Sequence, residues 1–329
     1  MMLIMFSPFR ISLLGGGTDI PEFYNRYGGN VLGFASSLGC YVTINNTEIH
    51  NRRTAFRLVY SQTEETESTE EIQHPLIREF IRFHGYEELE LHFNADLPSV
   101  SGLGTSSAFA NAMSAGFSHL IGKHLSPREI ANFSIHMERS ILKEAGGVQD
   151  QIISAFGGCC RINMSNDGWT VEKLNLNSDF KNNLLDSIVL VKVGWGSKEF
   201  RNSSEIETRK VQSENNINRL KDTLDLANSG IQLFLNEDIS ELGKTIDHIW
   251  HLKRQFEGVS NLEVDECCDF LKTKGAIGCR LLGAGGRGFL LAIGEPGFAT
   301  KIVELLGKSR ALKIKISEYG TKKMEIREQ

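Results

Sequence analysis

The segment at 98–116, PSVSGLGTSSAFANAMSAG, places glycines and hydroxyl residues directly before small apolar residues at helical spacing. Its candidate residues are Gly102, Gly104, Thr105, Ser106 and Ser107. A helix N-terminus has unpaired N–H groups and the positive end of the peptide dipole, so preceding glycines let an anion, most often a phosphate, approach the backbone. The segment indicates a phosphate-binding loop, although it lacks the lysine of the G-x-x-x-x-G-K-[ST] pattern. Taken alone, it is more often a flexible loop with a Ser/Thr helix cap.

Two other segments carry glycines that could lie close to a ligand, PFRISLLGGGTD at 8–19 and LLGAGGRG at 281–288. In the second, Gly283, Gly285 and Gly288 match G-x-G-x-x-G, the dinucleotide fingerprint. That fingerprint should open a helix, whereas the following FLLAI continues as a strand, so the segment predicts a hairpin. A nucleotide-dependent oxidoreductase is therefore disfavoured.

Apolar periodicity predicts the elements that must position these segments. Strands are predicted at 10–14, 31–35, 55–60, 89–93 and 187–193. Helices are predicted at 105–121 and 126–145, and long polar helices near 202–229 and 237–256. The 126–145 helix has Ser126 as its cap, Pro127 at its first position and Glu129 to complete a capping box. The change near 180–186, after which long polar helices are predicted, indicates two domains, 1–185 and 186–329.

Composition excludes several classes of function. The chain has 329 residues and a net charge of -5 without basic blocks, so a nucleic-acid partner is not expected. The start, MMLIMFSPFR, has no basic region and no apolar run of signal length, and no later run could span a bilayer. A cytoplasmic protein without a membrane partner is expected. Neither C-x-x-C nor H-E-x-x-H spacing occurs, so a zinc site is not expected.

The three glycine-rich segments, together with GGVQDQIISAFGG at 146–158, stand in an order that resembles the GHMP small-molecule kinases. That family includes galactokinase, mevalonate kinase, homoserine kinase and the bacterial heptose-phosphate kinases. The resemblance spans nearly the whole chain, and the ordered set is specific where each motif alone is weak. It implies an α+β protein with an N-terminal domain like ribosomal protein S5, containing a left-handed βαβ unit. A C-terminal ferredoxin-like domain would follow, with the active site between the two.

The resemblance also implies ATP and Mg²⁺ sites. It assigns the ATP phosphates to the loop at 102–107 and to Gly283, Gly285 and Gly286. Ser106 and Glu138 match the family's magnesium ligands, Glu138 through its spacing to Asp150. Two protein ligands are enough for Mg²⁺, because phosphate oxygens and waters complete its coordination. From the residues alone, an exposed helix carboxylate that contacts Arg139 or Lys143 is the simpler interpretation of Glu138.

Two residues match the family's catalytic pair. Asp150 corresponds to the aspartate that accepts the proton of the acceptor hydroxyl, and Arg10 to the cation that keeps it ionised. The residues alone leave Asp150 open to being the N-cap of a helix beginning near Gln151. Arg10 could equally be a solvent-facing residue at a strand start.

The substrate-binding residues implied by the resemblance are Gly16, Gly17, Thr18, Asp19 and Arg201. Asp19 would accept hydrogen bonds from substrate hydroxyls, although Gly and Asp are also ordinary turn residues. Lys198 and Arg201, within GSKEFRNSSEI, could meet a substrate phosphate. A solvated helix start explains them at least as well.

Within the family, GGGTD after PFRISL looks most like the kinases that act on D-glycero-D-manno-heptose 7-phosphate. Galactokinases usually carry Glu-His where this chain has Gly16 and Gly17. We therefore expect phosphorylation of the anomeric hydroxyl of a sugar or sugar phosphate. The alternatives are a fucose or galactose kinase and a sugar-binding relative without activity. Arg287 departs from the family's usual GAGGGG and Thr105 from its usual serine pair, and the sequence does not determine the oligomeric state.

Overall fold

The computed structural model describes residues 2–45, 54–98, 101–194 and 203–325. Its strands are β1 (Met2–Leu14), β2 (Gly29–Asn45), β3 (Phe56–Val59), β4 (Thr63–Thr66), β5 (Leu89–Ala95), β6 (Cys159–Ser165), β7 (Gly168–Leu174), β8 (Ile188–Val193), β9 (Ala276–Leu281), β10 (Gly288–Gly294), β11 (Ala311–Lys313) and β12 (Lys322–Lys323). Its α-helices are α1 (Pro21–Tyr27), α2 (Pro75–His84), α3 (Thr105–Leu120), α4 (Pro127–Ile135), α5 (Gln149–Phe156), α6 (Ser178–Ser187), α7 (Ser203–Arg209), α8 (Glu214–Leu235), α9 (Ile239–Lys253), α10 (Leu262–Thr273) and α11 (Phe298–Leu306). Within these residues, no helix combines the length and apolar character needed to cross a bilayer.

The first sheet has eight strands and is built around the antiparallel pair β1 and β2. One half of β2 pairs with β6 and the other half with β5, while β3 runs parallel to β5. Helices α3 and α5 pack against β1 and β2, with Phe9, Phe34 and Met113 fully buried in this core. Burial of these side chains anchors the two helices whose N-termini carry the predicted site residues.

Pairing of β1 with β2 is irregular on both sides of one short stretch. The register shifts between Pro8 and Arg10 and again between Ser12 and Leu14. Bulges of this kind bend a strand and change the direction of its side chains, and they are common beside active sites. Because alternate residues of a strand share a face, Arg10 and Ser12 both point into one cavity.

The second sheet is antiparallel with strand order β11-β8-β10-β9. Helices α8 to α10 follow β8 and α11 follows β10, which is the β-α-β-β-α-β arrangement of a ferredoxin-like domain. The first strand of the second sheet begins at Ile188, close to the predicted domain boundary. The C-terminal end of the chain nevertheless returns to the first sheet. There β12 pairs with β1, and Ser36 forms a bridge with Ile316. The division into 1–185 and 186–329 stays a proposal.

Two predicted helices differ from the observed ones. The helix expected over 126–145 begins with the predicted Ser126 capping box, changes to a π-helix over His136–Ile141, and is followed by Lys143 at a φ of 59°. The single helix expected over 202–229 is wrong. It is interrupted after Arg209 and restarts at Glu214, where the Ser213 side chain accepts the Asn216 N–H as a new N-cap.

Candidate active site

A cavity of about 880 Å³, a size usual for small-molecule sites, is lined by residues of both sheets. The sequence-predicted residues that line it are Arg10, Gly16, Gly17, Asp19, Gly102, Gly104, Thr105, Ser106, Ser107, Glu138, Asp150 and Gly283. These residues come from four distant segments of the chain. The fold therefore brings together most of the residues that the motifs singled out.

Three predicted residues lie behind the cavity wall. The Thr18 hydroxyl donates to the Gly15 carbonyl at 2.8 Å and is buried inside the turn. The Gly286 N–H donates to the Val259 carbonyl at 2.9 Å, and Gly285 packs closely against the same valine. These residues shape the turns that border the cavity.

Asp150 and Arg10 form a bidentate ion pair on the cavity wall. Arg10 Nε lies 2.7 Å from Asp150 Oδ1, and Nη2 lies 2.9 Å from Oδ2. Arg10 is buried, so the solvent-facing interpretation is wrong. Asp150 stands in the first turn of α5, whose N-cap is Val148, so the N-cap interpretation is also wrong. Burial raises the pKa of the Asp150 carboxyl, and the Arg10 guanidinium acts against that rise.

Arg10 also fixes the loop before α3, the predicted phosphate-binding loop. Its Nη1 donates to the Gly102 carbonyl at 2.5 Å, and its backbone N–H donates to the Leu103 carbonyl at 3.1 Å. The N-cap of α3 is Gly104, and no side chain caps the helix start. The Thr105 hydroxyl instead contacts the Ser101 hydroxyl at 3.0 Å. Because no side chain competes for its N–H groups, the start of α3 can accept an anion from the cavity.

The glycine-rich segments at 98–116 and 281–288 touch through their backbones. A Cβ on Gly102 would lie 2.7 Å from the Leu282 carbonyl oxygen, and one on Gly283 would lie 2.7 Å from the Gly102 Cα. Phe289 N–H donates to the Ser101 carbonyl at 3.1 Å across the same contact. The glycines are required because the two loops approach each other too closely for side chains.

Gly102→Ala should therefore weaken ATP binding by roughly 10- to 100-fold, because the added methyl forces the two loops apart. Gly122→Ala is the matched control, since its φ of 75° is nearly that of Gly102 at 76° but a Cβ there meets nothing within 4 Å. Calorimetric titration with ATP measures both variants. Equal ATP affinities would show that the loop contact does not support the nucleotide site.

Glu138 lies on the π-helix and is buried rather than exposed, contrary to the simpler sequence interpretation. Its Oε1 accepts from the Ser106 and Ser107 hydroxyls, each at 3.3 Å, and its Oε2 accepts from Gln151 Nε2 at 2.7 Å. Burial raises its pKa to about 7. Within the described residues no lysine or arginine pairs with this carboxylate. A buried carboxylate beside an exposed serine hydroxyl fits the oxygen ligands that Mg²⁺ prefers.

Asp19 holds the turn that contains Gly17. Its Oδ1 accepts from the Gly17 N–H at 2.8 Å and from Gln149 Nε2 at 3.1 Å, and its Oδ2 accepts from the Gln149 N–H at 3.0 Å. Asp19 is therefore a turn residue, as the sequence also allowed, and it ties the GGGTD turn to the start of α5. The carboxylate also lines the cavity, where a substrate hydroxyl could reach it.

Buried cations that the motif analysis overlooked complete the inner wall. Lys253 Nζ donates to the Leu281 carbonyl at 2.8 Å and to the Gly283 carbonyl at 2.6 Å. Arg280 Nη1 donates to the Leu13 carbonyl at 2.8 Å. The one available signal was a charged residue inside the apolar run before the third glycine motif.

Two other cavity residues lie beyond the reach of the motif analysis. Lys210, next to the end of α7, pairs with Glu207 at 2.6 Å, and both line the cavity.

Lys198 and Arg201, the expected partners of a substrate phosphate, lie outside the described residues. The structure therefore leaves their predicted role as it was.

Two protein-family models match this chain. The model of the GHMP kinase N-terminal domain matches residues 72–158 and that of the GHMP kinase C-terminal domain matches residues 231–308, together about half of the chain. The chain belongs to the GHMP kinase family, as the sequence resemblance predicted. It is a phosphotransferase that uses ATP as the phosphoryl donor and an alcohol group as the acceptor.

Similar relatives span nearly the whole chain. A D-glycero-alpha-D-manno-heptose 7-phosphate kinase of Campylobacter jejuni is 25% identical over 92% of this chain and 93% of its own length. A galactokinase of Thermotoga neapolitana is 23% identical over 94% of each. The crystal structure of a D-glycero-D-manno-heptose 1-phosphate kinase from Bacteroides thetaiotaomicron covers 100% of both chains with a TM-score of 0.78 at 20% identity. This last likeness confirms the expected fold, with its two GHMP kinase domains.

Proposed function

We propose that the protein is a sugar kinase that transfers a phosphoryl group from ATP to the anomeric hydroxyl of its acceptor. The favoured acceptor is D-glycero-D-manno-heptose 7-phosphate, which would become the 1,7-bisphosphate. The observation that carries the proposal is the ion pair between buried Arg10 and the partly exposed Asp150 beside the phosphate-binding loop. A sugar-binding relative without activity would have no use for such a base. The sugars named for the relatives support the acceptor class.

Phosphoryl transfer needs positioning and charge neutralisation more than covalent help from the protein. Asp150 would accept the proton of the attacking hydroxyl, and its raised pKa makes it a stronger base than an exposed aspartate. Arg10 holds both carboxylate oxygens and the Gly102 carbonyl, so it fixes the base relative to the phosphate-binding loop. The uncapped start of α3 would hold the ATP phosphates.

Aromatic side chains beside the second turn of α3 would form a place for the adenine ring. Phe93 and Phe109 lie 4.7 Å apart, and Tyr60 meets His74 edge to face at 4.9 Å, all four lining the cavity. Burial lowers the pKa of His74, so its ring is neutral at pH 7. Flat apolar and neutral rings of this kind suit a nucleobase.

Glu138 and Ser106 would hold Mg²⁺, which when bound neutralises charge on the transferred phosphoryl group. Ser107 and Gln151 hold the Glu138 carboxylate from the side of the protein core. Gln151 Nε2 also donates to the Ser107 hydroxyl at 3.0 Å, so the three side chains orient one another. Within the described residues no group of three His, Cys, Asp or Glu side chains could hold a metal. Glu138 and Ser106 are the side chains assigned to the proposed Mg²⁺ site.

Two features support an acceptor that already carries a phosphate. The GGGTD turn opens the cavity at Gly16 and Gly17, where galactokinases carry larger residues, and Lys198 and Arg201 provide cations after β8. The relatives' names differ on which phosphate the sugar carries, since one is a heptose 7-phosphate kinase and the other a heptose 1-phosphate kinase. The position of that phosphate is thus part of the proposal.

An assay of ATP consumption against free heptose, heptose 7-phosphate, heptose 1-phosphate, galactose and fucose tests the acceptor. We expect kcat/KM for heptose 7-phosphate to exceed that for free heptose by roughly 10-fold or more, because a remote anion held by cations orients the reacting hydroxyl. Arg201→Ala should remove that preference, whereas Arg310→Ala, at an exposed arginine before β11, should not. Equal turnover of galactose or fucose would support the alternative kinases, and no turnover of any sugar would contradict the proposal.

A further inference from the structure

Three buried side chains lie around Gly16, and each carries one polar atom that has no hydrogen-bond partner within the described residues. Ser12 Oγ, Gln149 Oε1 and Arg280 Nε are each without a partner within the described residues. Ser12 is 2%, Gln149 7% and Arg280 1% exposed. Leaving a buried polar atom unpaired costs about 1–3 kcal/mol, so three such atoms in one place point to a ligand group that completes them.

The absence of a side chain at Gly16 leaves space beside these three residues at the cavity wall. A Cβ on Gly16 would lie 3.1 Å from Arg280 Nη2, 3.2 Å from Ser12 Oγ and 3.3 Å from Gln149 Nε2. Any side chain at this position would cover all three residues, and each of the four residues lines the cavity. Gly16 has an ordinary negative φ, so the backbone conformation alone does not explain the glycine.

The hydrogen-bonding capacities of the three groups define what can bind. Gln149 Nε2 donates to Asp19 Oδ1 at 3.1 Å, which fixes the amide so that Oε1 is left as an acceptor. Arg280 can only donate, and within the described residues its hydrogen bond runs from Nη1 to the Leu13 carbonyl, with Nε unpaired. Burial lowers the pKa of Arg280 to about 10, so the guanidinium still carries its charge at pH 7. The Ser12 hydroxyl can donate or accept.

We propose that Arg280, Ser12 and Gln149 form a subsite at Gly16 that binds one non-reacting hydroxyl of the acceptor sugar. This proposal rests on the proposed function and names the part of the site that distinguishes one sugar from another. A hydroxyl accepts from Arg280 and donates to Gln149 Oε1, and so satisfies both groups at once. A phosphate dianion has no proton to donate, so its oxygens would face the amide oxygen unfavourably. The substrate's phosphate therefore binds elsewhere.

A set of monodeoxy analogues tests the subsite. The probes are heptose 7-phosphate and its 2-, 3-, 4- and 6-deoxy forms, or the same series of whichever sugar the wild-type enzyme phosphorylates. In the wild type one analogue should lose roughly 10- to 100-fold in kcat/KM, because its binding leaves the buried groups unpaired. In Gly16→Ala and in Ser12→Ala that one preference should fall to within about threefold, while the ranking of the other analogues is unchanged.

Ser7→Ala is the matched control, since Ser7 is a buried serine of the same strand whose hydroxyl contacts Thr321 outside the cavity. It should keep the wild-type preference. A uniform loss across all analogues in Gly16→Ala and Ser12→Ala would overturn the subsite and leave the three groups bound to water alone. That result is separable from failure of the proposed function, which would be a wild-type enzyme that phosphorylates none of the sugars.

Discussion

Asp150→Asn should lower kcat by about 10²- to 10⁴-fold while ATP affinity stays within about threefold of the wild type. The amide keeps the size of the carboxylate but cannot accept the proton of the acceptor hydroxyl. It also leaves the buried Arg10 guanidinium without its negative partner, although the bond from Nη1 to the Gly102 carbonyl remains. Steady-state kinetics and calorimetric ATP titration on the same preparation separate the loss of chemistry from a loss of the nucleotide site.

Stability must be measured alongside, because the substitution leaves the buried Arg10 guanidinium without its negative partner. Asp179→Asn is the matched control, since Asp179 also lies in the first turn of a helix, α6, but is exposed. It removes a favourable helix-dipole interaction without touching the cavity. Thermal unfolding identifies an assay temperature at which both variants are folded. Near-normal turnover of folded Asp150→Asn would mean that transfer proceeds by positioning alone and that the base is not needed.

The pH profile of the wild type gives a second test of the same carboxyl. Because burial raises the pKa of Asp150, the base should lose activity by protonation at a higher pH than an ordinary aspartate would. The acidic limb of kcat/KM should disappear from the residual activity of Asp150→Asn. An unchanged acidic limb would assign that limb to another group.

Glu138→Gln should lower kcat by about 10²- to 10³-fold and raise the Mg²⁺ concentration needed for half-maximal rate, because the amide withdraws the one carboxylate of the proposed metal site. Glu266→Gln, at an exposed glutamate of α10, is the control and should behave as the wild type. Wild-type Mg²⁺ dependence in Glu138→Gln would place the metal elsewhere.

Protonation of Glu138 provides a readout that does not depend on activity. The folded protein holds this proton more tightly than the unfolded chain, since the pKa rises from 4.5 to about 7. The contribution of Glu138 to the free energy of unfolding is therefore complete below pH 4.5, falls as pH rises toward 7, and stays low above that. Without Mg²⁺, the wild type should lose more stability than Glu138→Gln over that interval. With Mg²⁺, which competes with the proton, wild-type stability should gain more at pH 8 than at pH 6.

The amino-acid sequence by itself determined the local elements and the chemistry of each motif. The helix predicted at 105–121 is observed as α3 (Thr105–Leu120), and the predicted hairpin after Arg280 is β9 and β10. These features depend on short-range periodicity, capping and turn residues, which a sequence displays directly. The family resemblance added roles for Arg10, Glu138 and Asp150, and the fold brings all three to one cavity.

Tertiary structure decided which interpretation of each residue holds. Whether Glu138 is exposed or buried depends on the π-helix and on Gln151, and neither follows from the helical pattern around it. The pairing of Arg10 with Asp150 joins residues 140 positions apart through strand register and the seating of α5 on β1. The sequence signal for Arg280 was only a charge inside an apolar strand, and its role became visible only with the turn at Gly16 folded beside it. Local patterns specify elements, but convergence at a site depends on long-range packing, which no local pattern contains.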